Sequence, residues 1–508
     1  MDDQSNNLKG GFGSGIVPQL ANGRRSRPWR IFRVLLLFAV AVLLPFAISG
    51  WGDIYQGHLE RDPPIVEIKK PPVGLGLDPV NVEFTVRDRH AGIDEITVRL
   101  EQAGKQRSIF EKKYPARVRA DDITVVLNGK ENGLREGEAR LNIVAFDKSF
   151  WNNGARTAVQ LRVDYTRPEV TLYPDQRNAV LGGSEMVFYR LRETVDTFSG
   201  ITVGSELLPG FPAKNFDKDF ENFSEVYCAF FPIPRDFDPQ TGAMKLFARD
   251  AVGNISTASV NYRVQNVGFR SGVEPVAVET LASKVDPLYE QYLIRQARLN
   301  GQEAMRPLPS QSDEERLERF RIVNEQYRDL IERAMKPLFS KPKSTRFWQD
   351  SFARFGAKER HGFGERVTFT LNGQPLGDYV ENGVTYSSPL ETPVRAANDG
   401  IVIFSDTLGL YGNTVIVDHG FGLTTLYAHL ASMSRLEGDR VERGDIIGKV
   451  GDTGLAFAPI LTYETRLHGV PVRPLEWWDA TWIKDHVEGK VKNAKRALGI
   501  RAVESLEN

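Results

Sequence analysis

Histidine and cysteine are the side chains best suited to bind a catalytic zinc ion, and both are scarce in this chain. The 508 residues include one cysteine, Cys228, and seven histidines. A single cysteine excludes an intramolecular disulfide framework and a cysteine-rich zinc site. Any chemistry that depends on imidazole therefore rests on a short set of residues. They are His58, His90, His361, His419, His429, His468 and His486.

The composition is that of an ordinary folded protein with several domains. It is 41% hydrophobic and 26% charged, and at about 150 residues per domain the length corresponds to about three domains. The 65 Lys and Arg residues nearly balance the 66 Asp and Glu residues, which leaves a formal charge of −1. This balance predicts no nucleic-acid partner.

The N-terminal region predicts a membrane anchor. Residues 1–30 are expected to form a disordered basic cytoplasmic tail, and residues 31–52 a transmembrane helix. The stretch 34–52 carries no charge, and about 19 residues can cross a hydrocarbon core about 30 Å thick. There are two alternatives. One is a cleaved signal peptide, since residues 47–49 loosely fit a cleavage site, and the other is a buried core helix. The anchor predicts a single-pass protein of the inner (cytoplasmic) membrane, with the bulk of the chain periplasmic or otherwise extracytoplasmic.

Residues 61–165 and 166–266 have the pattern of a duplicated β module. Each opens with proline and an alternating strand, and each contains an aspartate, Asp147 or Asp250, that precedes a turn with Asn and Gly. Strands in which apolar and polar residues alternate, in a unit of about 100 residues, are typical of β-sandwiches. The modules resemble the Ig-like domains of bacterial surface proteins. A spacer or platform is the expected role, and a ligand site on the modules is the alternative.

Residues 270–350 are expected to form a helical connector. Ser312 and Glu315 form a capping box, and apolar residues follow at helical spacing from Leu317 to Ala334. The opposite face is densely charged and is expected to be solvated. The apolar stripe is expected to pack on a neighbouring domain, and docking of a partner protein is the alternative.

Residues 362–480 consist of short β segments with tight turns, which predicts an antiparallel β domain, and 481–508 are expected to be a C-terminal helix and tail. Four segments carry a family pattern in order: 389–402, 411–420, 426–430 and 444–454. They resemble the LytM or lysostaphin-type zinc metallopeptidases, which cleave peptidoglycan cross-bridges. The predicted fold class is thus mainly β, with two Ig-like modules, a helical connector and a C-terminal antiparallel peptidase-like domain on a membrane-anchored chain.

The resemblance implies a zinc site whose ligands this sequence lacks. In the family, zinc is held by a His-x-Gly-x-Asp segment and by the second His of a His-x-His segment. The three ligand positions fall on Glu381, Thr385 and Thr462, and a catalytic His position falls on Ile460. Threonine hydroxyls are poor zinc ligands. The prediction is a degenerate site without metal or cofactor, in which His429 remains as a hydrogen-bonded remnant.

The other histidines of the region do not replace these ligands. His361 lies upstream of the first motif, His419 lies in a shared turn, and His468 falls in the next hairpin turn. Side chains at strand positions that border the cleft of such a domain are expected to hold a glycopeptide or protein segment, with ordinary strand surface as the alternative. They are Asn398, Tyr411, Asn413, Tyr427, Tyr463 and Arg466.

Three functions compete on these grounds. The first is a non-catalytic, membrane-anchored cell-envelope protein that binds peptidoglycan or regulates a cell-wall hydrolase. The second is a peptidoglycan metalloendopeptidase with an atypical metal site. The third is a structural envelope scaffold in which the β modules bind.

Overall fold

The structure, a computed structural model, describes residues 58–500 except 176–177, 193–195 and 305. The chain divides into two compact units, Met1–Pro72 with Pro79–Arg162 and Val73–Asp78 with Val163–Asn508. The predicted tail (1–30) and transmembrane helix (31–52) lie outside the described residues. No described helix is both long enough and apolar enough to cross a membrane.

The first unit is made of antiparallel strands. One sheet has the order β1-β3-β6, and another contains the order β8-β7-β4-β5. In β6, Ile123, Val125 and Leu127 are buried and alternate with exposed residues, as in any strand with one face on a core. The first eight strands are β1 (Ile65–Ile68), β2 (Gly74–Leu75), β3 (Val80–Arg87), β4 (Ile93–Gln102), β5 (Lys105–Val118), β6 (Ala120–Leu127), β7 (Gly137–Asp147) and β8 (Gly154–Val163).

The second unit opens with two four-stranded sheets, β14-β15-β11-β9 and β13-β12-β16-β17, and a parallel pair β10-β18. Turns of 3-10 helix span Ala213–Asn215 and Lys218–Phe220. The next strands are β9 (Glu169–Leu172), β10 (Asn178–Val180), β11 (Ser184–Arg192), β12 (Phe198–Val203), β13 (Glu206–Pro209), β14 (Phe211–Pro212), β15 (Val226–Pro232), β16 (Met244–Arg249), β17 (Ile255–Ser259) and β18 (Arg263–Gln265).

The segment that was expected to be a helical connector starts with a strand. β19 (Ser271–Val276) pairs in parallel with β21 (Arg366–Leu371), which pairs with β22 (Gln374–Val380). The helices are α1 (Val278–Leu299), α2 (Asp313–Ile322) and α3 (Arg328–Met335), with a π-helical turn at Val323–Tyr327 and a 3-10 turn at Lys336–Phe339. Ser312 Oγ accepts a hydrogen bond from Glu315 N at 3.2 Å, which confirms the predicted cap.

An antiparallel sheet of order β20-β23-β30-β27-β26-β25-β28 forms the C-terminal domain, and β24, β29 and β31 pair beside it. The predicted mainly β character is confirmed. Its strands are β20 (Lys358–His361), β23 (Val384–Ser387), β24 (Pro393–Arg395), β25 (Gly400–Thr407), β26 (Asn413–Gly420), β27 (Leu423–Met433), β28 (Arg440–Val441), β29 (Ile446–Val450), β30 (Ile460–Leu467) and β31 (Val470–Val472). Helices α4 (Pro474–Trp478), α5 (Ala480–Ile483) and α6 (Gly489–Ala497) follow, with a π-helical turn at Lys484–Glu488 and an earlier 3-10 turn at Gly409–Tyr411.

Strand β11 is buried on both faces and joins two hydrophobic cores. Val187 and Tyr189 pack in the core of the two four-stranded sheets. Met186 and Phe188 point the other way, into a core that includes Trp477 and most of the large sheet. Residues 186–230 and the C-terminal domain therefore share one core, which the sequence pattern of separate modules did not predict.

Candidate functional site

The three expected zinc-ligand positions converge, but they are bonded to one another. Thr385 and Thr462 are direct partners across β23 and β30, and their Oγ atoms lie 2.7 Å apart. Thr385 Oγ donates to Glu381 Oε2 at 2.8 Å, and Gly383 N donates to Glu381 Oε1 at 3.2 Å. A row of hydrogen bonds through three buried side chains thus lies where the family holds its metal.

This donor set does not fit zinc. Glu381 is 4% exposed, and burial raises the pKa of its carboxyl group, although hydrogen bonds from Thr385 and Gly383 lower it. One buried carboxyl group and two neutral hydroxyls supply neither the thiolates nor the imidazoles that zinc selects. Within the described residues, no group of three His, Cys, Asp or Glu ligand atoms assembles here.

His429 is oriented by the backbone. Its own φ is 64°, and its Nδ1 lies 2.8 Å from the carbonyl oxygen of Thr453. Since a carbonyl only accepts, Nδ1 carries the proton and Nε2 does not. Burial lowers the pKa of His429 to about 4. The ring is therefore neutral at pH 7.

The pocket around this row is small. It has a volume of about 60 Å³ and contains His429, Ile460, Thr462 and Tyr411 in its wall, which leaves room for a few water molecules and none for a peptide. Aromatic side chains from the β19-β21-β22 sheet and the loop before β30 also line it. Their ring centroids lie 5.1 Å apart for Phe369 and Tyr379, and 5.9 Å apart for Phe369 and Phe457. The Arg328 guanidinium lies 4.6 Å from the centroid of the Tyr379 ring.

Of the six residues expected along an open cleft, only Tyr411 lies in the wall of this pocket. Asn398 is buried and donates through Nδ2 to Gln349 O at 2.8 Å. Asn413 accepts from Thr407 Oγ1 through Oδ1 at 3.0 Å. These contacts are internal to the fold, and neither Asn398 nor Asn413 lies in the wall of this pocket.

Arg466 was also expected along the cleft, but it is 1% exposed and holds two carboxylates. Its Nη1 and Nη2 donate to Glu332 at 2.8 and 2.9 Å, and its Nε donates to Glu464 at 2.6 Å. The Tyr411 hydroxyl lies between the carboxylates, 2.7 Å from Glu332 Oε1 and 2.8 Å from Glu464 Oε1. This cluster fastens α3 to β30.

Sequence reasoning missed Glu332 and Glu464. A signal for Glu464 was present, because Thr462, Glu464 and Arg466 alternate with Leu461, Tyr463 and Thr465 and therefore share one face of the strand. Burial raises the pKa of Glu464. For Glu332, burial also raises the pKa, but the charge of Arg466 outweighs it and lowers the pKa overall. No local signal pointed to Glu332, which is 134 residues from Arg466.

His361, expected to have no metal partner, is held between two carboxylates. Its Nε2 lies 3.0 Å from Glu274 and its Nδ1 lies 3.2 Å from Glu365. Burial lowers the pKa of His361, but the hydrogen bonds to both glutamates raise it overall. Because both ring nitrogens are engaged, His361 has no free lone pair for a metal. His468, by contrast, contacts Phe230 O through Nε2 at 3.1 Å.

Asp418 and His419, in the turn shared with the family, are also internal. His419 Nδ1 lies 2.7 Å from Asp399 O and its Nε2 lies 2.8 Å from Thr425 Oγ1, and burial lowers its pKa to about 4. Gly420 N donates to Asp418 Oδ1 at 2.8 Å. Burial raises the pKa of Asp418 to about 6, against an ordinary value of 3.8.

We therefore expect Asp418→Asn to stabilise the protein above pH 6. The raised pKa means that the folded state binds more protons than the unfolded state between pH 3.8 and about 6. Stability falls as pH rises through that window, by up to about 3 kcal/mol. Asparagine keeps an acceptor for Gly420 N and carries no charge, so its gain should vanish near pH 4. Urea unfolding between pH 4 and 8 measures this.

Glu437→Gln is the control for this series, because Glu437 is an exposed carboxylate of the same domain. It should change the free energy of unfolding by less than about 0.5 kcal/mol at every pH. A gain for Asp418→Asn that is the same at pH 4 and pH 8 would contradict the assignment of a raised pKa.

A second pocket lies on the other face of the sheet and has a volume of about 940 Å³. Along β30, Ile460, Thr462 and Glu464 line the small pocket, whereas Leu461 and Tyr463 line the large one. Tyr427 lies in the wall of the large pocket as well, so two of the residues predicted to bind a ligand meet there. The lining residues carry four exposed basic side chains and no carboxylate. The basic side chains are Arg354, Lys358, Arg395 and Arg443.

Comparison with known proteins identifies the C-terminal domain. Residues 379–474 match the model of peptidase family M23. The chain is 40% identical over 128 residues to the DD-carboxypeptidase/endopeptidase Mpg of Neisseria meningitidis serogroup B, which covers 23% of this chain and 30% of that protein. It is 36% identical over 95 residues to the peptidoglycan DD-endopeptidase ShyA of Vibrio cholerae. This match covers 19% of this chain and 22% of ShyA.

The murein hydrolase activator EnvC of Escherichia coli is also similar, at 33% identity over 117 residues, covering 23% of this chain and 26% of EnvC. Among solved structures, a putative peptidase M23 from Pseudomonas aeruginosa aligns with 59% of this chain and 95% of its own, at 18% identity and a TM-score of 0.35. The chain spans about 30% of the length of the first curated relatives. Residues 379–474 of this chain therefore form a domain of peptidase family M23.

Proposed function

We propose that this chain is a non-hydrolytic cell-envelope protein that binds peptidoglycan through its M23 domain. One observation carries the proposal: the three metal-ligand positions are a hydrogen-bonded Glu381, Thr385 and Thr462. Without a metal, nothing in the pocket polarises a scissile carbonyl or lowers the pKa of a water molecule. The volume of about 60 Å³ supports the same conclusion, since a stem peptide does not fit.

The large pocket is the proposed binding place. Its volume of about 940 Å³ lies at the upper end of the range for ligand sites. Peptidoglycan stem peptides carry carboxylates, and exposed guanidinium groups bind carboxylates strongly and in a fixed geometry. Tyr427 and Tyr463 lie in the wall of the large pocket but are only 1% and 2% exposed, so the exposed basic side chains are the proposed contacts to a ligand.

The test is cosedimentation of the full chain with purified sacculi. The double variant Arg395→Ala, Arg443→Ala should lower the retained fraction about fivefold or more, because it removes two of the four positive charges of the pocket. The matched control is Arg435→Ala, Arg440→Ala, which removes the same charge from the same domain outside the pocket and should change retention less than about twofold.

Two results would contradict the proposal. Equal losses for both double variants would mean that retention is unspecific charge attraction. Release of soluble muropeptides by the wild-type chain in the presence of zinc would mean that the domain is an active hydrolase.

Regulation of a cell-wall hydrolase is the second candidate, and similarity to the murein hydrolase activator EnvC favours it. Under this alternative the chain speeds digestion of sacculi by a separately purified hydrolase of the same cell while releasing nothing by itself. Dye release from labelled sacculi, with the hydrolase alone and with the chain added, distinguishes the two candidates. No acceleration by the chain argues against regulation and leaves binding as the function.

The remaining parts of the proposal concern position in the cell. Residues 31–52 are proposed to anchor the chain in the inner membrane, and the Ig-like modules are proposed to hold the M23 domain at a distance from that membrane. The absence of charge from 34 to 52 supports the anchor.

A further inference from the structure

Three acidic residues meet inside the first unit, far along the chain from the M23 domain. Glu60 lies on the segment that enters the unit, Asp88 directly follows β3, and Asp147 ends β7. One carboxylate oxygen from each lies within 4.8 Å of those of the other two. The three residues are 8%, 6% and 1% exposed. In the described ranges, no other group of three metal-ligating residues comes together in this way.

Hydrogen bonds satisfy only part of these carboxylates. Glu60 Oε2 accepts from Ala91 N at 2.7 Å, and Asp88 Oδ1 accepts from His90 N at 3.1 Å and from Gly92 N at 2.5 Å. The second oxygen of each, Glu60 Oε1 and Asp88 Oδ2, is buried and has no hydrogen-bond donor. Such atoms are rare in folded proteins unless an ion or a water molecule contacts them.

The third carboxylate is oriented by its own turn. Asp147 Oδ1 accepts from Ser149 N, Ser149 Oγ and Asn153 N at 3.1, 2.7 and 2.8 Å, and its Oδ2 accepts from Asn153 Nδ2 at 2.8 Å. Asn153 Nδ2 also donates to Glu60 O at 2.9 Å. The turn and the entry segment are thereby held against each other, with the carboxylates of Glu60 and Asp147 in the same interior.

No basic side chain neutralises the cluster among the residues that the structure describes. Neighbouring cations are engaged elsewhere: Lys148 pairs with Asp94 at 3.2 Å, and the Arg61 guanidinium lies 5.0 Å from the centroid of the Trp151 ring. Three buried carboxylates therefore face one another without a positive charge, an arrangement that a bound cation would compensate.

We propose that Glu60, Asp88 and Asp147 form a Ca²⁺ site. The donors are all oxygens, which selects a hard cation over zinc or copper. Ca²⁺ binds oxygen at about 2.3–2.6 Å, so two ligands on opposite sides of one ion lie about 4.6–5.2 Å apart, which agrees with the separations of up to 4.8 Å. Mg²⁺ is a poorer fit, because it keeps most of its waters and is seldom enclosed by protein ligands alone.

The ion would tie the entry segment to the turns that follow β3 and β7. The repeat-related Asp250 of the second unit provides a contrast. It accepts from Val252 N at 3.0 Å, from Asn254 N at 2.8 Å and from Asn254 Nδ2 at 2.8 Å. No acid cluster forms around it in the described part of that unit. The Asp and Asn turn is thus common to both repeats, and the cation site belongs to the first.

Equilibrium dialysis of the full-length chain against ⁴⁵Ca²⁺, after EGTA treatment, tests the site. Wild type should bind about one Ca²⁺ per chain at 1 mM Ca²⁺, in the range of extracellular calcium modules, and its unfolding temperature should be higher in Ca²⁺ than in EGTA. Asp88→Asn should weaken binding about tenfold or more. Asp94→Asn, whose carboxylate is half exposed and paired with Lys148, should bind as wild type does.

Uptake below about 0.2 Ca²⁺ per wild-type chain would overturn the proposal, as would equal uptake by wild type and Asp88→Asn. Uptake of Mg²⁺ with the same affinity would overturn the choice of ion. If Asp88→Asn does not fold, Glu60→Gln serves in its place, because Glu60 lies on the entry segment outside the strands. The wild-type stoichiometry decides by itself.

Discussion

Arg466→Met is expected to lower the free energy of unfolding by about 3–5 kcal/mol. The substitution leaves the buried Glu464 and the partly exposed Glu332, whose side chain is 28% exposed, with no guanidinium to accept from, although methionine fills much of the same volume. Removal of one partner from a buried charge cluster costs far more than the pair itself contributes, because the desolvation of the remaining charges is no longer offset. Urea unfolding of the full chain at pH 7.5 measures the loss.

The loss should shrink as pH falls. Without Arg466, a charge that lowers the pKa of Glu464 is lost, and burial, the largest influence on this carboxyl group, keeps its pKa above the ordinary value of 4.5. The folded variant then binds more protons than the unfolded chain, so its stability rises as pH is lowered towards about 4.5. Arg435→Met is the control, because it breaks an exposed pair with Asp445 at 3.2 Å and should cost less than about 1 kcal/mol. A loss below about 1 kcal/mol for Arg466→Met would contradict the structural role of the cluster.

The triple variant Glu381→His, Thr385→Asp, Thr462→His is expected to gain a zinc site. The side chains at these positions already meet, with hydrogen bonds of 2.7 and 2.8 Å between them, close to the separation of about 3.3 Å between ligands in a tetrahedral zinc site. Metal analysis after dialysis should rise from below about 0.1 zinc per chain in wild type to about 1 in the variant. The backbone that positions the ligands would thus be intact.

Two further variants test how many ligands zinc needs at this site and whether zinc alone restores hydrolysis. Glu381→His, Thr385→Asp, with Thr462 retained, supplies only two good ligands and should bind zinc at least about tenfold more weakly. Adding Ile460→His to the triple variant restores the second catalytic imidazole position. Even this variant should release no muropeptide, because the pocket of about 60 Å³ is too small for a peptide. Stoichiometric zinc in wild type would contradict the interpretation of the site, and so would a folded triple variant that binds none.

The sequence predicted the parts of the site that depend on neighbouring strands. Family motifs placed Glu381, Thr385 and Thr462 at one location, and the structure brings them into hydrogen-bond contact. The pattern of short β segments with tight turns likewise predicted the antiparallel sheet of this domain. Both results follow from local patterns, because a strand's period fixes which side chains share a face.

The small volume of the pocket and the role of Arg466 could not be predicted in this way. Arg466 was assigned to the cleft because its strand position borders the cleft of such a domain. Its actual partner, Glu332, comes from a helix whose docking depends on tertiary packing. Strand β19 begins a segment with a helical pattern and pairs with β21, about 95 residues later in the chain. A contact between residues so far apart in the sequence produces no periodic pattern from which it could be predicted.

The hydrophobic core shared by residues 186–230 and the M23 domain has a consequence for experiments on fragments. Phe421 lies 5.1 Å from Phe211 and 5.3 Å from Phe216 between ring centroids, and Trp477 donates through Nε1 to Ser184 Oγ at 2.9 Å. A polypeptide that starts at residue 362 would bring these aromatic faces into water and aggregate. The smallest piece that behaves as a soluble unit should begin before β9, and proteases should fail to release the M23 domain alone.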